Sequence, residues 1–186
     1  MPKLGVIVAS VRQGRKGEPV ARWFLERAKA HGQFEIQLLD LKEIALPLLN
    51  ERHHPRHQKY ELETTKAWSR MVQEADAFVI VTPEYNYSSP PALVNALDHL
   101  YVEWNYKAAS FVSYGGLSGG SRSVQMTKQI LTTLNVMPIA EAVHINYIAR
   151  HVSEGVFQPE ESHEKSVKTM LDELLRWTNA LAALRA

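Results

Sequence analysis

The segment Thr82-Pro83-Glu84-Tyr85-Asn86-Tyr87-Ser88-Ser89-Pro90-Pro91 gathers a carboxylate, phenols, an amide and hydroxyls between prolines, directly after the apolar run Ala77 to Val81. Such a loop can hold a flat, polar ligand: Tyr85 and Tyr87 offer rings to cover a face, and backbone groups around Pro83, Glu84, Tyr85 and Asn86 can match donors and acceptors along an edge. Pro90 and Pro91 fix φ and suit the first turn of a helix, so the amides between strand end and helix are expected to be preorganised. A second group, Ser10-Val11-Arg12-Gln13-Gly14-Arg15-Lys16-Gly17, follows the apolar run Leu4 to Ala9. A hydroxyl, guanidiniums and glycines between a strand end and a helix start make an anion site, because free amides and the helix dipole point the same way. Ser10 can donate to a phosphate oxygen, Arg12 and Arg15 can each offer two parallel N–H groups, and Gly14 and Gly17 let the backbone approach closely.

Other chemistries are excluded by what is missing. The 186 residues contain no Cys, which removes disulfides, thiolate metal sites and thiol nucleophiles, so redox chemistry has to be borrowed from a cofactor. His53, His54 and His57 cluster around Pro55 and Arg56 without fixed secondary structure or a nearby carboxylate pair, a poor metal site and a good surface loop. No G-x-S-x-G elbow supports a Ser–His–Asp hydrolase. The first loop reads S-x-R-x-G-R-x-G rather than G-x-G-x-x-G, and its two arginines suit a terminal phosphate monoester better than a pyrophosphate lying on bare backbone. No catalytic acid or base is assigned, and no metal. With 21 Lys and Arg against 20 Asp and Glu, the net charge of +1 gives no field to drive binding to nucleic acid or an acidic membrane. The first apolar run is too short for a signal peptide and none is long enough to span a bilayer, so a cytoplasmic protein is expected.

The elements that must position these loops alternate along the chain. Leu4 to Ala9 reads as a strand and Pro19 to Ala30 as a helix, with Val20, Trp23, Phe24 and Ala28 on one face. Phe34 to Leu39 reads as a strand, 41 to 58 as irregular, and Tyr60 to Glu74 as a helix leading into the buried strand at Phe78. Leu93, Leu97 and Leu100 mark the next helix, Ala108 to Val112 a strand, and Val124, Leu131 and Leu134 a helix. Met137 to His144 reads as the fifth strand, and Met170, Leu174, Trp177, Leu181 and Leu184 recur on a closing helix. Five strands alternating with five helices over one domain, residues 1–186, predict an α/β parallel sheet covered on both faces with right-handed crossovers.

The two loops, with the glycine-rich Ser113-Tyr114-Gly115-Gly116-Leu117-Ser118-Gly119-Gly120, resemble the NAD(P)H-dependent FMN reductase family, which includes quinone, azo-dye and chromate reductases. The likeness covers about residues 3 to 145, and the Pro-Glu-Tyr-Asn-Tyr-Ser block is its most specific part. It implies a flavodoxin-like doubly wound sheet of order 2-1-3-4-5, with non-covalent FMN at the switch point and NAD(P)H as co-substrate. The implied contacts are Ser10, Arg12, Arg15 and Gly17 at the phosphate, Pro83, Glu84, Tyr85, Asn86 and Tyr87 at the ring, and Gly115, Gly116 and Gly119 along its edge. Glu84 is expected to contribute backbone, and Ser113 and Ser121 to cap or orient. Many members carry a Ser or Thr and an Asn at the start of the first helix, where this chain has Gly17, Glu18 and Pro19. The implied activity passes hydride from NAD(P)H to bound FMN and on to a small acceptor (a flavin, quinone, azo compound or metal oxyanion) in ping-pong fashion. A flavodoxin-like electron carrier, or a non-catalytic flavin-binding module, is the alternative. A homodimer or homotetramer is implied too, with Leu93 to Trp104 nominated as its contact patch.

Overall fold

In the computed structural model, residues 1–185 are described; Ala186, the last residue of the expected domain, lies outside them. The parallel strands β1 (Lys3–Val8), β2 (Glu35–Asp40), β3 (Ala77–Pro83), β4 (Ala108–Tyr114) and β5 (Met137–Pro138) pair in the order β2-β1-β3-β4-β5, and β6 (Val143–Ile145) also pairs with β4. The expected strand order is thus observed. All seven residues of β3 and all seven of β4 are buried, as continuous apolar runs require when helices cover both faces. Val79 and Val81 pack towards α1 (Gly17–His31) and α6 (Glu161–Leu181), whereas Phe78 and Ile80 pack towards α3 (Glu63–Glu74), α4 (Pro91–Asp98) and α5 (Ser121–Thr133). A short helix, α2 (Leu41–Ile44), follows β2, its start capped by Asp40.

The fifth strand is not continuous. The Met137 and Ile139 amides bond Lys107 and Ala109, but the stretch from Pro138 to Val143 is longer than the stretch from Ala109 to Val112 that it faces, so 140–142 bulge from the ladder, with the Ser110 hydroxyl donating to the Glu141 carbonyl at 2.6 Å, before β6 rejoins it. A hairpin of β7 (Val152–Ser153) and β8 (Val156–Phe157) precedes α6, turning through Glu154 and Gly155 at φ 51° and 74°. The third helix begins at Glu63 rather than Tyr60, because the Tyr60 hydroxyl donates to Glu103 at 2.8 Å and holds the irregular segment down. Leu184 falls in a turn after α6 and is exposed.

Most of the nominated contact patch is interior, although Tyr101 is half-buried and Val102 exposed. Leu93, Leu97, Leu100 and Trp104 are at most 1% exposed, and Trp104 meets Phe78 and Trp68 edge-on at 5.0 and 5.9 Å. Their helical spacing is that of a core helix.

Lys107 enters β4 with its ammonium buried, donating to the Val72 and Gln73 carbonyls at 2.7 and 3.2 Å, and burial pushes its pKa down to about 8. A depressed lysine means that the unfolded chain binds more protons between the folded pKa near 8 and the ordinary 10.5, so this group's contribution to stability rises with pH across that window. Denaturant titrations of the wild type and Lys107→Met should therefore show the wild type gaining on the variant by about 1–3 kcal/mol between those limits. A constant difference would contradict the burial of the charge.

Candidate functional site

The C-terminal ends of β1, β3 and β4 deliver the three motif loops to one edge of the sheet. There they enclose a cavity of about 330 Å³, lined by Ser10, Arg12 to Lys16, Pro83 to Tyr85, Tyr114, Gly115 and Ile148. A wider recess of about 670 Å³ shares Arg12, Glu84 and Tyr85 with it and continues past Asn86 to Pro91.

The first loop leaves the sheet after the Ala9 amide bonds Val81, and among the described residues no amide from Ser10 to Lys16 has a protein acceptor. Helix α1 starts at this point without a side-chain cap on Lys16. Free amides at a helix start are a cradle for an anion. The arginines divide the work. Arg12 is exposed, its guanidinium 5.7 Å from the Tyr85 ring centroid, and remains available to a ligand. Arg15 commits its end-on pair of N–H groups within the protein: Nη1 and Nη2 bond the two Asp40 oxygens at 2.6 and 2.5 Å, and Nη1 also reaches the Ser10 carbonyl at 2.8 Å. Asp40 stands opposite Val8 in the β1–β2 register, and an arginine side chain only 5% exposed needs a carboxylate to offset the cost of burying its charge. The side edge of Arg15 is left, the second Nη2 hydrogen beside Nε, and Nε is buried and unpartnered.

Ser10 is buried, with its hydroxyl 2.8 Å from that of Tyr85, which ties the first loop to the second. Gly17 does not line the cavity; a Cβ there would stand 2.5 Å from the Tyr114 hydroxyl, so its role is to leave room for that ring. Tyr114 lines the cavity although sequence reasoning did not select it. The available signal was a residue with a polar tip closing a buried strand. Burial and the neighbouring Tyr85 push its pKa up against the opposing pull of nearby Ser10, Arg15 and Arg12, keeping the hydroxyl protonated; the Ser10 hydroxyl bonds Tyr85 instead, and the Tyr114 hydroxyl makes no well-formed hydrogen bond.

In the second loop, reciprocal bonds of 3.0 and 2.9 Å between Tyr85 and Ser88 close a two-residue turn with Asn86 at φ 50° and Tyr87 at φ 69°. Asn tolerates this left-handed conformation, whereas a tyrosine is strained by it. The turn sends Tyr87 outward, 69% exposed, onto the Arg122 guanidinium 4.1 Å away. Of the two rings expected to cover a ligand, only Tyr85 lines the cavity. Asn86 lines the recess, and among the described residues the amides of Asn86 and Tyr87 are unpaired. The Glu84 amide, in contrast, is committed to the Tyr114 carbonyl at 3.2 Å. Its carboxylate accepts from Ser118 Oγ at 2.7 Å and from the Arg122 amide and Nη1 at 3.1 and 2.8 Å. Burial raises the pKa of this carboxyl, but these bonds outweigh it and hold the group below the usual range.

Of the third loop's glycines only Gly115 lines the cavity; its amide and carbonyl are bonded to Ile145 and Ile148. Gly116 is exposed and its carbonyl accepts from Gly119 and Tyr147. Gly119 is buried at φ 59°, with Ser113 Oγ donating to its carbonyl at 2.7 Å and a hypothetical Cβ only 3.0 Å from Asn146 Oδ1. It shapes the loop and does not face the cavity. Ser113 also meets His144 Nδ1 at 2.7 Å, so it orients, as expected.

An anion cradle at the switch point of a doubly wound parallel sheet, running into a recess with an aromatic side, defines a flavodoxin-like nucleotide-binding protein. A family profile described as NADPH-dependent FMN reductase matches residues 2–150. The chain is 42% identical over 127 residues to an NAD(P)H-dependent FMN reductase of Schizosaccharomyces pombe, covering 67% of this chain and 64% of that protein. It is 38% identical over 146 residues to an NAD(P)H-dependent FMN reductase of Saccharomyces cerevisiae, covering 72% and 75%. Among solved structures, the Paracoccus denitrificans flavoenzyme FerB, an NAD(P)H:(acceptor) oxidoreductase, superposes with a TM-score of 0.75 at 19% identity, covering 97% and 98%. The chain belongs to the NADPH-dependent FMN reductase family and is an oxidoreductase of that FMN-using class.

The cavity fits the phosphate end of FMN, since it holds buried donors without acceptors, an uncapped helix start and a free guanidinium. Arg12→Ala should weaken FMN binding by about 1.5–3 kcal/mol and riboflavin binding much less. Fluorescence titration with both flavins checks this, and equal losses would sink the assignment of Arg12 to the phosphate.

Proposed function

We propose that residues 1–186 form one domain that binds FMN non-covalently and transfers reducing equivalents from NAD(P)H to a small acceptor, a flavin, quinone, azo compound or metal oxyanion. The observation that carries this reading is a pair of adjoining pockets that share Arg12, Glu84 and Tyr85: an anion cradle in one, a more open recess in the other, and one tyrosine wall between them. When bound, FMN supplies the hydride chemistry. The chain supplies position. Arg12 and the amides of 10–16 hold the phosphate, Tyr85 walls the recess, and the free amides of Asn86 and Tyr87 are donors for a polar ring edge. Pro83 and Gly115 complete the floor.

One recess with one open flank favours two substrates in turn. Initial rates with NAD(P)H and a quinone should give parallel double-reciprocal lines; intersecting lines would overturn the alternation. A passive electron carrier is disfavoured by the basic phosphate loop and near-zero net charge, which lack the acidic docking face such shuttles use.

No His lines either part of the recess, and the one carboxylate there, Glu84, is tied to Ser118 and Arg122. Flavin bleaching by saturating NAD(P)H, followed by anaerobic stopped flow, should therefore vary little between about pH 6 and 8. A steep titration abolished by one substitution would reveal a proton-transfer group in the recess.

The reading extends to a cytoplasmic homodimer or homotetramer. With the leucines and Trp104 of 93–104 interior, its support is the exposed apolar group Val11 and Leu48, beside Pro91 at the mouth of the recess. No helix among the described residues is long and apolar enough to cross a membrane.

A further inference from the structure

Two donors in the cavity, Arg15 Nε and the Tyr114 hydroxyl, are buried without a partner, and each is placed by a residue that does not itself line the cavity. Tyr114 owes its position to Gly17, the first residue of α1, where any side chain would collide with the hydroxyl. Arg15 owes its orientation to Asp40. A guanidinium is planar and rigid, so once Asp40 holds both terminal nitrogens end-on and the Ser10 carbonyl takes the second Nη1 hydrogen, the edge formed by Nε and the second Nη2 hydrogen is what remains to turn elsewhere. Asp40 is itself fixed, at the end of β2 and by the Lys42 amide at 3.0 Å.

Resting on the FMN-binding reading, we propose that Tyr114 and Arg15 Nε form an inner, buried half of the phosphate site, with Asp40 and Gly17 as its positioning residues. The outer half is Arg12 with the loop amides. The hydroxyl that the first helix lacks at Gly17 is supplied from β4 instead, across the space the glycine leaves open. Because Arg15 and Asp40 form a nearly neutral pair, the inner half contributes directed hydrogen bonds, and the charge that draws the anion in comes from Arg12 and Lys16.

The discriminating quantity is the ratio of FMN to riboflavin affinity, which a purely structural role would leave alone. Full-length wild type, Tyr114→Phe, Asp40→Asn and Gly17→Ala are titrated with FMN and with riboflavin by flavin fluorescence, and their thermal midpoints are recorded without ligand. Tyr114→Phe and Asp40→Asn should each weaken FMN about tenfold while riboflavin stays within about twofold. Gly17→Ala should mimic Tyr114→Phe, and the double variant should lose no more than the worse single, since both remove the same contact. Unchanged ratios in Tyr114→Phe and Asp40→Asn, or equal losses for both flavins, would overturn the proposal. Should Asp40→Asn fail to fold, Tyr114→Phe decides alone, because it removes only an unpartnered hydroxyl. If wild type binds neither flavin, the FMN reading falls and this inference with it; if wild type prefers FMN and the variants keep that preference, only the inner site falls.

Discussion

Burial of β3 and β4 on both faces constrains everything else in this molecule. A strand with helices on either side can show polar chemistry only at its ends, so Tyr85, Asn86, Tyr114 and Gly115 act where the ladder stops. The strand order then decides which ends meet. Because β1 lies between β2 and β3, Asp40 at the end of β2 reaches Arg15, and Tyr85 beyond β3 reaches Ser10. The site is assembled by register, and loop sequence fills in what register has brought together.

Its rigidity comes from ties between loops. Ser10 and Tyr85 join the first to the second, Glu84 with Ser118 and Arg122 joins the second to the third, and Ile145, Tyr147 and Ile148 pin the glycine run. Glu84 is instructive, since a carboxylate in a flavin site invites a chemical role. Here three donors occupy it, and its negative charge is spent on Arg122, whose other face supports Tyr87.

The sequence made the buried runs legible because apolar length is a local property, and the three loops legible because each follows such a run. What it hid was non-local. Nothing in the order of residues says that Asp40 will take the Arg15 fork, because that depends on β1–β2 register. Tyr114 went unselected beside the glycines of its loop because its hydroxyl matters only once α1 is docked with Gly17 against it. Tyr87 looked like a second wall because a Tyr-Asn-Tyr spacing does not reveal a turn with two positive φ values. The periodicity of Leu93, Leu97 and Leu100 was read correctly as a helix but assigned to the wrong neighbour, since an apolar stripe reports burial and not the partner that buries it. The fifth strand breaks because it carries more residues between Pro138 and Val143 than β4 offers partners, an effect apolar patterning does not register.

The insertion of β1 between β2 and β3 also has a history written into it. The first strand pairs with β2 early in synthesis, yet its other edge stays open until β3 has been made, after the whole irregular stretch and α3. Through that interval a nascent chain carries an unpaired, apolar strand edge of the kind that associates with other chains. The Ser10–Tyr85 tie cannot exist before β3 arrives, so the completed cradle cannot template the sheet: cofactor capture comes after sheet closure.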